Sequence, residues 1–442
     1  MIINKIWQKF NAQWKKREYI RNVSILAGGT AIGQGLVILV YPILTRIYNP
    51  QDFGILAVYV SVLTILRSLA SLRYEQAIPL AEDDDVAYAV LWICLIILVM
   101  ICLIIGVFLF LFGSVFLQWI NTPELQRYTW LFPIGLLGMG SYQILNFWAI
   151  RKKAFIRIAR TRLTQAWTEV IIQTILGLLN IIPIGLIIGH LAGQTAGSGS
   201  LSALVWGKQR QRKSNMQLSY KLLLQVANRY RRFPIFSSWA TLLNSLALQI
   251  PVLILTAWYG TEVSGWYNLA LRLFAGPAVI IGMSLAQVYV SESAIIVRGD
   301  DQNLHSALQL IKLMKKTVMI SISIGLPLLL LAIISPWFFP IAFGEKWSEA
   351  GLYALPIGIM FFAGFIATPT GGTLDVLERQ DLHLYREIIR LILLSSSIIL
   401  AWELSASPRV TVICLCTAGT IIYIIYFIFS VYAIRTYRKK FN

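Results

Sequence analysis

Residues Val86–Leu117 read VAYAVLWICLIILVMICLIIGVFLFLFGSVFL and contain no Asp, Glu, Lys or Arg. About 20 apolar residues suffice for a helix to cross the hydrocarbon of a bilayer, and this stretch exceeds that length. Apolar blocks of similar character fill the rest of the chain. Of its 442 residues, 57% are hydrophobic and only 13% are charged. A soluble domain could not cover so much apolar surface with so few charges. The expected fold is therefore an all-α polytopic membrane protein.

Working outward from that block, spans fall near 22–43, 53–76, 86–117, 128–150, 162–180, 182–206, 234–258, 264–290, 313–343, 350–377, 388–404 and 409–434. That is about twelve crossings. Only Ile181 separates the fifth from the sixth. The run Glu82–Asp85 between the second and third spans reads as a solvated loop.

A net charge of +18 would suggest nucleic acid in a soluble protein. Here the basic residues sit between apolar blocks, and no soluble basic domain exists to carry such binding. With the N-terminus inside, 31 of the 38 Lys and Arg fall in cytoplasmic segments, against Arg46, Arg127, Lys346 and Arg409 outside. Cytoplasmic loops carry the excess of Lys and Arg, so both termini are expected in the cytoplasm. The outside loops are short and leave no room for a folded domain.

Residues 2–14 place Ile3, Ile6, Trp7, Phe10 and Trp14 on one helical face with lysines elsewhere, as in a short interfacial helix. The block that follows is too long for a cleavable signal and lacks a cleavage site. Cys94, Cys102, Cys414 and Cys416 fall inside apolar blocks and have no metal-ligand spacing. They read as small lipid- or helix-facing groups.

The halves of the chain resemble each other at a shift of 211 residues. Ile43-Leu44-Thr45 matches Ile254-Leu255-Thr256, Tyr48 and Gly54 match Tyr259 and Gly265, and Gln76 matches Gln287. The organisation expected is a cytoplasmic interfacial segment 1–21, a six-helix lobe 22–206, a basic linker 207–233, a second six-helix lobe 234–434 and a basic tail 435–442. Six spans return the chain to its starting side, so the two bundles have the same orientation. A cleft between such repeats is the natural transport site. Pro133, Pro251, Pro277, Pro327, Pro356 and Pro369 fall inside spans, where proline removes a backbone hydrogen bond and bends the helix.

Three arginines lie within the apolar blocks. An Arg at mid-bilayer costs roughly 2.5–3.5 kcal/mol on insertion scales and usually faces a cavity or partner. Arg272 is roughly 12 Å into its span at about 1.5 Å per residue, with Asn268 one turn earlier on the same face. Arg67 lies deep in the second span, with Ser71, Tyr74 and Glu75 on nearby faces. Arg73 and Glu75 read equally as an interfacial pair and as a substrate gate. Glu169 has Gln165 and Gln173 one turn to either side. That stripe should face protein, either as a hydrogen-bonded structural group or as a site of coupling to H+ or Na+. His190 reads as a satisfied structural group. Three intramembrane arginines among few acids imply a cationic cleft suited to a phosphate or diphosphate, which Arg grips in a bidentate way. No nucleotide-binding glycine loop, metal site or catalytic triad is present in the sequence, and no enzymatic activity is expected.

Tyr41-Pro42-Ile43-Leu44-Thr45-Arg46-Ile47-Tyr48 with Pro50, Asp52, Phe53 and Gly54 is followed by Leu72-Arg73-Tyr74-Glu75 and Asp83–Asp85. Arg229-Tyr230-Arg231-Arg232-Phe233-Pro234 then opens the second half. Leu269-Ala270-Leu271-Arg272-Leu273 with Pro277, Ala286-Gln287-Val288-Tyr289 and Phe343-Gly344 with Trp347 complete the series. In this order and spacing the chain resembles the Wzx-type polysaccharide flippases of the multidrug/oligosaccharidyl-lipid/polysaccharide superfamily. The resemblance implies a MATE-like fold in a bacterial inner membrane. It implies translocation of an undecaprenyl-diphosphate-linked oligosaccharide, such as an O-antigen unit of lipopolysaccharide, driven by an ion gradient and not ATP. Glycan polymerase and chain-length regulator proteins are the partners it suggests, beside membrane lipids. It makes Arg73, Glu75 and Arg272 site candidates; Arg67 rests on the residues alone. The competing readings are a MATE-type exporter of small cations, which would want buried acids in the cleft, and a membrane glycan polymerase or glycosyltransferase.

Overall fold

The computed structural model describes residues 28–206, 219–298 and 304–439. The interfacial helix expected at 2–14 lies outside them, as does most of the basic stretch before Tyr220. The described residues are overwhelmingly helical and contain no strand.

The first helices in chain order are α1 (Gly28–Ile47), α2 (Pro50–Arg67), α3 (Asp84–Trp119), α4 (Leu131–Arg151) and α5 (Phe155–Leu178). Two short helices follow, α6 (Ile184–Thr195) and α7 (Ser198–Trp206), then the linker helix α8 (Tyr220–Arg229). Next come α9 (Ser238–Tyr259), α10 (Thr261–Arg298), α11 (Leu304–Phe343), α12 (Ser348–Gly371) and the single turn α13 (Thr373–Val376). The chain ends with α14 (Gln380–Glu403) and α15 (Pro408–Lys439). Seven of the described helical stretches are long and apolar enough to cross a membrane on length and composition alone. With α2, α4, α5, the α6–α7 pair and α14 they account for the about twelve spans expected.

α3 illustrates why these segments belong in lipid. Asp83 caps it, its carboxylate accepting from the Val86 N–H at 2.7 Å, and Asp84 and Asp85 complement the helix dipole in the first turn. Beyond that turn Leu103, Phe110, Leu111 and Val115 stand exposed, Phe110 at 87%. A continuous apolar surface of this kind has no place in water.

The described residues group into two compact units. One contains α1 and residues Ile55–Thr261; the other contains Asn49–Gly54 and the chain from Glu262 onward. Grouped by contacts, α9 goes with the first unit, whereas the internal repeat groups it with the second half of the sequence. At the 211-residue shift Pro50, the first residue of α2, falls on Thr261, the first residue of α10. Gly260 adopts φ 88°, which a side chain would disfavour, and this breaks α9 from α10.

Several boundaries differ from the sequence reading. The second span does not continue to residue 76. α2 ends at Arg67, turns follow, and a 3₁₀ helix covers Tyr74–Leu80. Ser68 bonds back to the Ile65 carbonyl at 2.6 Å, and Leu72 and Arg73 take positive φ of 48° and 63°. Short hydroxyl side chains compete with the helix for its own carbonyls. α5 starts at Phe155, not 162, so Arg157, Arg160 and Arg162 are helical. The α5–α6 turn occupies Leu179–Pro183, where Asn180 has φ 58°. Pro133 lies in the first turn of α4, where no helical N–H is lost, and so it does not bend a span. The Glu82–Asp85 run is largely exposed, as the sequence predicts, but it is not loop throughout. It starts α3, and Asp84 receives Arg151 Nε at 3.1 Å and Lys152 Nζ at 2.6 Å.

Candidate functional site: a cationic cluster in the first unit

Glu75 is fully buried. Ser71 Oγ donates to its Oε2, Gln143 Nε2 donates to its Oε1 at 2.8 Å, and Arg73 Nη1 lies 3.6 Å from Oε1. A buried carboxylate needs such partners, because its desolvation otherwise costs several kcal/mol. The left-handed turn at Leu72–Arg73 brings Arg73 back onto Glu75. Arg73 and Glu75 are therefore paired, and the pair is anchored to α4 through Gln143.

Arg67 stands at the end of α2, partly exposed, with Arg73 and Arg162 as its charged neighbours. Both neighbours are cationic. The Arg67 side chain has no hydrogen bond or ion pair to another described residue. Arg162 belongs to α5, with its guanidinium carbon 5.3 Å from the centroid of the Tyr142 ring. Its Nη1 donates to Gln165 Oε1 at 3.2 Å. Tyr142 is fixed in turn by a 2.8 Å bond between its hydroxyl and Thr161 Oγ1. Of the three guanidinium groups, only that of Arg73 engages a carboxylate, Glu75. Neighbouring like charges in an apolar unit repel, which makes the cluster a candidate anion site.

The polar stripe of α5 continues from Arg162 through Gln165, Glu169 and Gln173. Gln165 Nε2 donates to the Gln194 carbonyl at 2.9 Å, and Gln173 Nε2 to the Leu186 carbonyl at 3.0 Å. Glu169 Oε1 lies 3.0 Å from His190 Nδ1, with both side chains buried. Hence the stripe faces protein. α6 approaches this closely because Gly189 and Gly193 lack a Cβ: one added at Gly193 would sit 2.5 Å from Glu169 Cβ, and one at Gly189 would strike the Gln173 side chain. Small residues at four-residue spacing give membrane helices this close approach.

Arg67, Arg73 and Glu75 are thus brought together, and Glu169 lies two turns along α5 from Arg162. Asn268 and Arg272 belong to the second unit, on α10 one turn apart, Asn268 buried and Arg272 partly so. The sequence reading missed Arg162, Tyr142 and Gln143. Arg162 counts among the cytoplasmic basic residues at the first position of the fifth span, although its spacing to Gln165 and Glu169 extends the polar stripe by one turn. His190 meets its partner Glu169 across the α5–α6 turn. No group of His, Cys, Asp and Glu among the described residues could hold a metal ion.

A multi-pass all-helical architecture with charged groups buried inside it defines a membrane transporter fold. Solved structures share it. An inward-facing MATE family multidrug resistance transporter of the MOP superfamily superposes with TM-score 0.73 at 14% identity, covering 92% of this chain and 96% of that one. The lipid II flippase MurJ, in an inward closed conformation, gives 0.68 at 14% identity over 92% and 87%. The chain belongs to the polysaccharide biosynthesis protein family, whose model matches residues 43–351. Succinoglycan biosynthesis transport protein ExoT of Rhizobium meliloti (strain 1021) is 25% identical over 336 residues, 74% of this chain. The match spans 63% of that relative's length. The Wzx-type resemblance read from the sequence agrees with this membership. The names these relatives carry are those of transporters and a flippase, not of enzymes.

Proposed function

We infer that the protein moves a lipid-linked oligosaccharide, joined to its polyprenyl carrier through a diphosphate, across a bacterial inner membrane. The observation that carries this reading is the pairing of Arg67 with Arg162, two neighbouring guanidinium groups with no carboxylate partner among the described residues. A diphosphate supplies the missing negative charge and accepts paired N–H donors, the geometry in which Arg exceeds Lys. Family membership and the transport role in ExoT's name support the same class of cargo. The engagement of both Glu75 and Glu169 by protein partners favours this cargo over a small cation, which would want a free buried carboxylate.

The cycle we propose is alternating access with both termini cytoplasmic, driven by a gradient of H+ or Na+. Arg67, Arg73 and Arg162 hold the diphosphate in the first unit, and Asn268 and Arg272 are the candidate substrate residues within the second unit. Glu75 fixes Arg73 and is the candidate gate; Glu169 with His190 is the candidate coupling pair. Undecaprenyl diphosphate is the carrier expected, and glycan polymerase and chain-length regulator proteins are the expected partners downstream.

In cells that depend on this protein for surface glycan, Arg272→Ala should abolish export while the protein still inserts and accumulates. Normal glycan with well-expressed Arg272→Ala would remove Arg272 from the site.

A further inference from the structure

The second unit contains a half-open cavity of about 530 Å³ between α11 and α15. On α11 it is lined by Ile311, Met314, Lys315 and Val318, positions that share one face at three- and four-residue spacing. On α15 the lining is Phe427, Val431, Ile434, Arg435 and Arg438, again one face. Met314 and Ile434 belong to a buried cluster with Tyr289 and Leu310, so the floor is packed and apolar. The rim carries Lys315, Arg435 and Arg438, all three exposed. None of their side chains makes an ion pair or hydrogen bond to another described residue.

We propose that this cavity binds an anionic phospholipid, with its phosphodiester among Lys315, Arg435 and Arg438 and an acyl chain along Met314, Val318, Phe427 and Val431. Every outer face of a membrane protein touches lipid, so an apolar wall alone selects nothing. Two features make this place selective. It is concave, which lets an acyl chain gain contact on several sides. It also carries three uncompensated cations beside the apolar floor, the arrangement by which basic pockets between membrane helices hold anionic headgroups. A soluble anion would use only the rim and a neutral lipid only the floor; an anionic phospholipid uses both. In the orientation proposed above, the rim stands at the cytoplasmic leaflet. Binding itself does not depend on that orientation or on the transport reading, so either can fail alone.

The test uses native mass spectrometry of the full-length protein with phosphatidylglycerol and phosphatidylcholine of matched chains. The wild-type protein should retain phosphatidylglycerol at least tenfold better. The triple variant Lys315→Gln/Arg435→Gln/Arg438→Gln should lose that preference. Val431→Trp, which fills the floor and keeps the charges, should lose it too, while the charge-conserving Lys315→Arg/Arg435→Lys/Arg438→Lys should keep it. Equal retention of the two lipids by the wild-type protein would overturn the proposal. So would unchanged preference in both the neutral triple variant and Val431→Trp, displacement of the lipid by glycerol 3-phosphate, or stronger retention of polyprenyl diphosphate at the same cavity.

Discussion

His190 Nδ1 and Glu169 Oε1 lie 3.0 Å apart across the α5–α6 turn, both buried, and His190 Nε2 has no partner among the described residues. Glu169 satisfies one of the two imidazole nitrogens inside an apolar bundle, so the acid supports the burial of the ring. Glu169→Ala leaves both ring nitrogens unpaired. A buried polar group without a partner costs about 1–3 kcal/mol, and the variant should melt at lower temperature in detergent. An unchanged melting curve would show that the pair carries no stability.

The Arg162 guanidinium is predicted to matter for transport although it lies at the edge of an apolar block. Hydrogen bonds to charged groups contribute about 1.5–3 kcal/mol, which is roughly ten- to hundredfold in affinity. Arg162→Ala should weaken substrate binding by that factor. Arg162→Lys should restore only part of it, since Lys keeps the charge but loses the planar fork. Binding of a polyprenyl diphosphate to purified protein is the measurement.

Close helix approach makes a contrast between two glycines. Gly193→Ala puts a methyl 2.5 Å from Glu169 Cβ and 3.0 Å from the Gln165 carbonyl. Overpacking of this kind costs about 1–3 kcal/mol. Gly35, on α1, has nothing within 4 Å of the position its Cβ would take. Gly35→Ala should be neutral or slightly stabilising, since Ala is the better helix former by about 1 kcal/mol. Thermal melting of the two variants side by side checks the contrast.

The linker helix α8 should detach at low pH. Arg229 Nη2 donates to Glu82 Oε1 at 2.5 Å, and Tyr74 Oη donates to the Ala227 carbonyl at 3.0 Å. Hydrogen bonding and charge from Arg229 hold the Glu82 carboxyl below its usual range. A depressed carboxyl pKa contributes fully above its unfolded value, about 4.3 for Glu, and is lost as pH falls through the folded value. Cleavage after Lys221 and Arg229 by an acid-stable protease mixture should therefore be constant from neutral pH down to about 5 and rise below about 4. Glu82→Gln should show the faster cleavage already at neutral pH. High salt should act in the same direction, because the pair is exposed.

Much of this molecule could be read from residue order. Apolar block length located the spans, since nothing but lipid suits α3. The buried stripe of Gln165, Glu169 and Gln173 followed from helical spacing, and its contact with protein is what the structure contains. Other features were hidden for physical reasons. The break after Arg67 sits in a run of Ser, Leu and Ala whose hydropathy continues smoothly, while the serine side chains and positive φ angles end the helix. Arg162 reads as the cytoplasmic edge of the fifth span because hydropathy begins at Leu163, although α5 extends back to Phe155. The Glu169–His190 pair depends on a tight turn at Leu179–Pro183. Gly185, Gly189 and Gly193, four residues apart, were its readable signal: that spacing marks a face onto which another helix can close.

The central claim is that neighbouring arginines in the first unit receive a lipid-linked diphosphate for transport. Proteoliposomes containing the purified protein, loaded on one leaflet with a short-chain polyprenyl-diphosphate oligosaccharide, test it directly when an H+ or Na+ gradient is imposed. The wild-type protein should carry the glycan to the opposite leaflet in a gradient-dependent way, and Arg67→Ala/Arg162→Ala should fall to the rate of protein-free vesicles. Equal translocation by that double variant, or none by the folded wild-type protein under either gradient, would contradict the account.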